Sequence, residues 1–201
     1  MKRSVYLGIN AFHGDASAAV LAGGQLVAAV EEERFRRVKH WAGFPERSIE
    51  YCLATAADES LEAVDGIAVS RRPGAYFLRK GLLALTHPRS LGRALARARN
   101  LVQVGSLETR LQRCFEEPRQ AVYGVEHHVA HAASAFFCCP WEEAMCLTVD
   151  GFGDFLSAML AVGRGNEIEI LDRVHFPHSL GLFYTAITQY LGFPNYGDEY
   201  K

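Results

Sequence analysis

Leu7-Gly8-Ile9-Asn10-Ala11-Phe12-His13-Gly14-Asp15-Ala16-Ser17-Ala18 and, 140 positions later, Leu147-Thr148-Val149-Asp150-Gly151-Phe152-Gly153-Asp154-Phe155-Leu156-Ser157-Ala158 read as two copies of one strand-loop-strand unit. Leu7, Phe12, Ser17, Ala18 and Gly23 recur as Leu147, Phe152, Ser157, Ala158 and Gly163, five identities in eighteen ungapped positions. Ile9 faces Val149 in this frame, and Asn10 faces Asp150. Self-similarity at a fixed spacing points to a repeated structural unit. Each copy would present a short Gly/Asp loop at the same end of a sheet, and two such loops can close on one phosphate chain.

Working outward, Val5 to Asn10, Ala16 to Leu21 and Gln25 to Val30 have strand character, with Gly23-Gly24 as the turn of a three-stranded meander. Pro45 to Ala57 places Ile49, Cys52 and Leu53 at helical spacing, and Asp65 to Ser70 reads as a buried strand. From Arg71 to Arg119 the pattern turns helical, around Ala75 to Thr86 and Ser90 to Arg113, with 11 Arg or Lys against three Glu. A strand at Gln120 to Tyr123 precedes a helix through His127 to Phe137, closed by Pro140. The second copy continues through a strand at Glu167 to Asp172 and a helix near Gly181 to Leu191. The expected fold is therefore a duplicated α/β architecture of the actin-like (ribonuclease H-like, Hsp70 and sugar-kinase) class. Residues 1–142 form its first subdomain, with a helical insertion at about 71–119, and residues 143–201 start a second, incomplete one.

Nearly half of the 201 residues are apolar, enough for a globular core. A formal charge of -2 gives no whole-molecule attraction to nucleic acid or anionic membrane. The five cysteines (Cys52, Cys114, Cys138, Cys139 and Cys146) are odd in number and lack C-x-x-C spacing. That fits reduced thiols in a cytoplasmic protein better than a disulfide framework or zinc ribbon. The N-terminal apolar run is too short for a signal-peptide core, and no stretch approaches the roughly 20 apolar residues that span a bilayer.

His127 and His131 are four apart, so a helix carries both imidazoles on one face, where they can share a divalent cation; His128 points elsewhere. Such pairs also occur by chance on solvated helices. The neighbours Val129-Ala130, Ala132-Ala133 and Ala135-Phe136-Phe137 predict a largely buried helix, and buried imidazoles need partners. Asp150 stands at a strand tip beside Gly151 and Gly153, as a third ligand or as an ordinary turn aspartate. Two imidazoles with one or two carboxylates suit Fe(II), Zn(II) or Mn(II). His13, opposite Gly153 in the repeat, is either a loop histidine bonded to a carbonyl or an acid–base group. Lys39 and His40 end a basic run that either faces an anionic ligand or is a solvated loop. Arg89, Arg93, Arg97 and Arg99 read as a solvated face rather than a nucleic-acid stripe, since aromatics are sparse around them. Cys138, Cys139 and Cys146 read as core residues.

Five motifs then carry a resemblance. Tyr6 to Ala18, Glu31-Glu32-Glu33-Arg34-Phe35 with Lys39-His40 and Phe44-Pro45, Glu126-His127-His128-Val129-Ala130-His131-Ala132, Val149-Asp150-Gly151-Phe152-Gly153-Asp154, and Phe193 to Lys201 resemble the O-carbamoyltransferases of nodulation-factor and antibiotic biosynthesis, essentially end to end. The resemblance implies a two-domain enzyme. A C-terminal domain makes carbamoyl-adenylate from ATP and carbamoyl phosphate, and the actin-like N-terminal domain transfers the carbamoyl group to a hydroxyl of a sugar or other natural product. It implies iron, Fe(II), held by His127, His131 and Asp150, with a further aspartate expected well downstream and absent from this chain. It also implies His13 as the base that deprotonates the acceptor, and Gly14, Asp15, Gly151 and Gly153 lining the phosphate site through backbone amides. The expected partners are small-molecule substrates and the adenylate-forming domain, with no membrane or nucleic acid. A tRNA threonylcarbamoyl-adenosine synthase-like transferase, and a non-catalytic metal- or nucleotide-binding fragment, are the alternative readings.

Overall fold

A computed structural model describes residues 4–56, 64–72, 74–86, 110–111, 121–195 and 197–200. Its contacts divide the chain into two compact units, Met1–Pro73 with Gly81–Val125 and Gly74–Lys80 with Glu126–Lys201.

In the first unit, β1 (Val5–Asn10), β2 (Ser17–Ala22) and β3 (Gln25–Glu31) form the expected antiparallel meander. Gly23 and Gly24 take φ of +60° and +80°, a left-handed two-residue turn matched to the twist of a hairpin. β4 (Gly66–Val69) and β5 (Val122–Gly124) then add in parallel on the far side of β1, giving the order β3-β2-β1-β4-β5. The short α1 (Glu33–Arg36) follows β3, and α2 (Glu46–Thr55) packs over β2 and β3. Ile49, Cys52 and Leu53 of α2 close with Leu7, Ile9, Val20 and Ile67 into one core. Burial pushes the Cys52 thiol up to about 11, so it is a packed, unreactive group. The helix α3 (Phe77–Thr86) occupies part of the predicted insertion; apart from Arg110 and Leu111, the predicted helix from Ser90 to Arg113 lies outside the described residues.

In the second unit, β6 (Glu143–Gly153), β7 (Leu156–Arg164) and β8 (Glu167–His175) form a second antiparallel meander. Leu147 pairs with Leu160 and Val149 with Ala158, where the first unit pairs Leu7 with Val20 and Ile9 with Ala18. The pairings superpose on the same 140-residue shift, so the repeat extends from residue identity to register. This is the expected duplicated α/β architecture. α4 (His127–Phe136) lies on one face of the sheet, where Ala132 and Phe136 pack with Cys146, Met159 and Ala161. The opposite side of β6 presents Met145, Leu147 and Val149 as exposed apolar residues. α5 (Leu180–Tyr190) and a 3-10 turn (Asp198–Tyr200) follow β8. No helix among the described residues is long and apolar enough to cross a membrane. One expectation is corrected: Cys146 is buried, but α4 has ended before Cys138, which is exposed, and Cys139 is only partly covered.

A fully buried carboxylate ties the end of the first meander to the helices. Glu32 Oε2 accepts from Ser48 N and Ser48 Oγ, both at 2.9 Å, and Oε1 accepts from Arg36 Nε at 2.7 Å. Its backbone N–H donates to Ala16 O. Both carboxylate oxygens are satisfied, which makes a charge tolerable in this position; removing it leaves Ser48 without this acceptor and leaves Arg36 with the Trp41 ring and Glu46 at 3.7 Å. Glu32→Ala should therefore lower unfolding stability by about 1–3 kcal/mol in urea titrations, whereas Glu31→Ala, on the exposed strand end, should change it little.

Candidate metal centre and its loops

The imidazoles of His127 and His131 and the carboxylate of Asp150 meet above the end of β6. His131 Nε2 lies 3.0 Å from His127 Nε2, Asp150 Oδ2 lies 2.7 Å from His127 Nε2 and 4.0 Å from His131 Nε2, and one ligand atom from each falls within 4.8 Å of the others. Ligand atoms bound at about 2.0–2.2 Å to a single ion stand roughly 3–3.4 Å apart; the two imidazoles have that spacing, and Asp150, now hydrogen-bonded to His127 and 4.0 Å from His131, needs only a small shift to share one cation with them. Two imidazoles and one carboxylate, with open coordination positions, fit a divalent transition metal. The residues therefore suit the metal that the resemblance implies.

The pair does not owe its setting to burial, as the small neighbours had led one to expect. The buried stripe of α4 is His128, Ala132 and Phe136. His127 keeps 11% of its side chain exposed and His131 keeps 54%, because the i, i+4 row at 127 and 131 runs beside that stripe. His128 is the buried imidazole, and it has a partner: Nδ1 lies 2.7 Å from Thr148 Oγ1 on β6. Burial lowers its pKa, with the Leu156 carbonyl pulling the other way, so His128 is a neutral peg between helix and sheet.

Asp150 is fixed from several sides. The hydrogen bond from His127 first, against the opposing effect of burial, and then the Gly151 N–H hold its carboxyl well below the usual carboxylate range. It stays anionic wherever a histidine site could hold a metal. Its backbone is gripped by the start of α5. Ser179, the N-cap residue, accepts from Leu182 N at 3.0 Å, and its hydroxyl points between the carbonyls of Asp150 at 3.1 Å and Gly151 at 2.8 Å. A Cβ on Gly181 would lie 2.4 Å from the Asp150 carbonyl, so only glycine allows this approach. Gly153 is equally constrained: a Cβ there would sit 1.9 Å from His127 Cδ2. Gly151, by contrast, has open space at that position.

The residue before the pair is anchored as well. Glu126 Oε2 accepts from Tyr76 Oη at 2.9 Å and Oε1 from Arg173 Nε at 3.4 Å, tying the entry of α4 to β8. Burial and the bond to Glu126 push the Tyr76 hydroxyl up to about 12, so it remains a donor. Of these supports, Ser179 ahead of an apolar run was a readable N-cap signal; Glu126, Thr148, Tyr76 and Arg173 leave no pattern in sequence because their partners are distant.

The first-unit residues are placed at the tips of β1 and β4. Asn10, the repeat partner of Asp150, donates to Asp15 O at 3.1 Å and accepts from Ser70 Oγ at 3.0 Å. Phe12 and Asp15 adopt φ of +58° and +62°, so the loop is tightly coiled. His13 Nδ1 lies 3.2 Å from Gly14 O, which assigns the proton to Nδ1 and leaves Nε2 as the acceptor nitrogen. The Asp15 carboxylate meets His40 Nδ1 at 2.8 Å, so among the residues expected to contact ligand the structure brings Asp15 and His40 together. Lys39 is exposed beside them.

The family described as "Carbamoyltransferase N-terminus" matches residues 5–201. The chain is 41% identical over 205 residues to the uncharacterized protein sll1178 of Synechocystis, covering 97% of this chain and 33% of that protein. It is 37% identical over 194 residues to nodulation protein NolNO of Sinorhizobium fredii, covering 96% and 27% respectively. The chain thus spans about a third of the length of these curated relatives. Among solved structures, YeaZ from Pseudomonas aeruginosa aligns with a TM-score of 0.45 at 16% identity, over 87% of this chain and 68% of that one.

The glycine contacts make a direct test of the site. Gly153→Ala should displace the His127 ring and reduce Fe(II) content after anaerobic loading at least tenfold, as should His127→Ala and Asp150→Asn. Gly151→Ala should load like the unaltered chain, with elemental analysis as the readout.

Proposed function

The chain belongs to the carbamoyltransferase N-terminus family, and from that premise we propose that it transfers a carbamoyl group from carbamoyl-adenylate to a hydroxyl of a sugar or other natural product. The observation that carries this reading is the convergence of His127, His131 and Asp150 on one point at a strand tip. In this reading the three residues hold a divalent metal, iron(II) by preference, which when bound supplies Lewis-acid stabilisation of negative charge on the departing phosphate. The adenylate is formed from ATP and carbamoyl phosphate by a further domain of the kind that the longer relatives have room for.

The chemistry asked of this chain's own groups is limited. The acceptor oxygen attacks the carbamoyl carbon while its proton passes to His13 Nε2; the bond from that carbon to the phosphate oxygen breaks, and AMP leaves. Gly14 O, by holding Nδ1–H of His13, fixes the tautomer that a general base needs. Gly14 and Asp15 in the loop after β1, and Gly151 and Gly153 at the end of β6, would line the phosphate through their backbone, with Gly14, Asp15 and Gly153 offering amides and the Gly151 N–H engaged by Asp150. Asp15 acts there through its backbone, because its carboxylate is engaged with His40. Lys39, exposed in the adjoining turn, would offer charge to an anionic ligand.

The test supplies carbamoyl-adenylate directly, so that the adenylate-forming step is bypassed, to iron-loaded protein with a panel of hydroxylated acceptors. Carbamoylated product and equimolar AMP are the expected result, and His13→Ala should lower the rate by about 10²–10⁴-fold with unchanged metal content. Iron-loaded protein that releases no AMP above the non-enzymatic rate with any acceptor would remove the reading.

A further inference from the structure

Asp150 and Asp154 stand four residues apart at the same hairpin, and by residue type either could face a cation. The structure separates them. Asp150 Oδ2 meets the His127 ring, whereas Asp154 Oδ2 accepts from the His127 backbone N–H at 3.0 Å, and Asp154 is not among the three residues whose ligand atoms converge. We propose that Asp154 is a positioning residue, not a ligand: it holds the first turn of α4 so that both imidazoles point at one place. This rests on the reading of His127, His131 and Asp150 as a metal centre.

Several observations converge on that role. The N-cap residue of α4, Glu126, makes no side-chain cap, since its carboxylate is engaged with Tyr76 and Arg173. The N–H of His127, which has no partner within the helix, is instead satisfied by Asp154 from the facing hairpin. A carboxylate there also suits the positive end of the helix. The hairpin is held in one shape to reach it. Asp154 and Phe155 are consecutive non-glycine residues with φ of +50° and +82°, a conformation that persists only where surrounding contacts enforce it. The same turn lays the Gly153 backbone on the His127 ring and brings Asp150 to Nε2. One histidine is thus gripped at its backbone, ring face and ring nitrogen by three residues of one hairpin. His131, one turn later on a rigid helix, is aimed by the same grip.

Cobalt(II) titration of the 201-residue chain tests this without reference to activity. Asp154→Ala should bind Co(II) about 10–100-fold more weakly than the unaltered chain, and its visible bands at saturation should keep their positions because the ligand set is the same. Asp154→Asn keeps an oxygen acceptor and tolerates the left-handed backbone, so it should recover most of the affinity. Shifted bands in either variant would make Asp154 a ligand and overturn the proposal, as would an Asp154→Ala affinity equal to that of the unaltered chain. Where Asp154→Ala loses its far-ultraviolet dichroism, Asp154→Asn decides: unchanged bands with affinity within tenfold support positioning, and shifted bands overturn it. An unaltered chain that takes up no Co(II) removes the metal reading itself, and this result is distinguishable from the others.

Discussion

Strand register is the constraint on which the site depends. In a β-strand neighbouring side chains point to opposite faces, so a slip of one residue in the β6–β7 pairing would exchange every side chain of β6 between faces. With Leu147 opposite Leu160, the side carrying Cys146, Thr148 and Asp150 is the one α4 covers, and Met145, Leu147 and Val149 take the other. Thr148 then meets His128 and Asp150 meets His127. A slipped strand would offer α4 apolar side chains where its two imidazoles need polar ones. The candidate ligands and the packing peg are therefore specified together.

Two adjacent histidines serve opposite ends because their surroundings differ. His128 is wholly buried and kept neutral, which lets it pack against Thr148 without an uncompensated charge. His127 and His131 lie beside it, partly exposed, next to a carboxylate that stays ionised. A helix that was uniformly buried would have made the pair inaccessible. A helix that was uniformly exposed would have left the imidazoles free to rotate. The boundary between buried stripe and solvent is where a ligand can be both reachable and oriented.

Much of the fold was legible because it rests on local signals. The Gly23-Gly24 turn, the apolar alternation in β1 and β2, and the Ile49-Cys52-Leu53 stripe of α2 follow from turn chemistry and periodicity. The repeat was legible too, and its shared register gave it physical content. The candidate ligands His127, His131 and Asp150 could be read from spacing and strand-tip position. The supports around them were less so: Glu126 with Arg173 joins residues far apart in sequence whose types are ordinary on any surface, and in the first unit Glu32 with Ser48 does likewise. The burial argument for α4 failed for a related reason. Small residues on several sides of a helix do not say which side faces the sheet, and the stripe lay one position away from the metal pair.

The repeat aligns His13 with Gly153. In the first copy the loop carries its own imidazole at that position, and in the second the loop is bare there, with the His127 ring from α4 lying against the backbone where a side chain would begin. Divergence of the two copies can be described as an exchange of tethering: one imidazole attached through its own Cβ, the other delivered by a helix into space vacated by a missing Cβ. The two positions therefore exclude each other's solution: a side chain at Gly153 would occupy the place of the His127 ring, so the second loop can host an imidazole only by carrying none of its own.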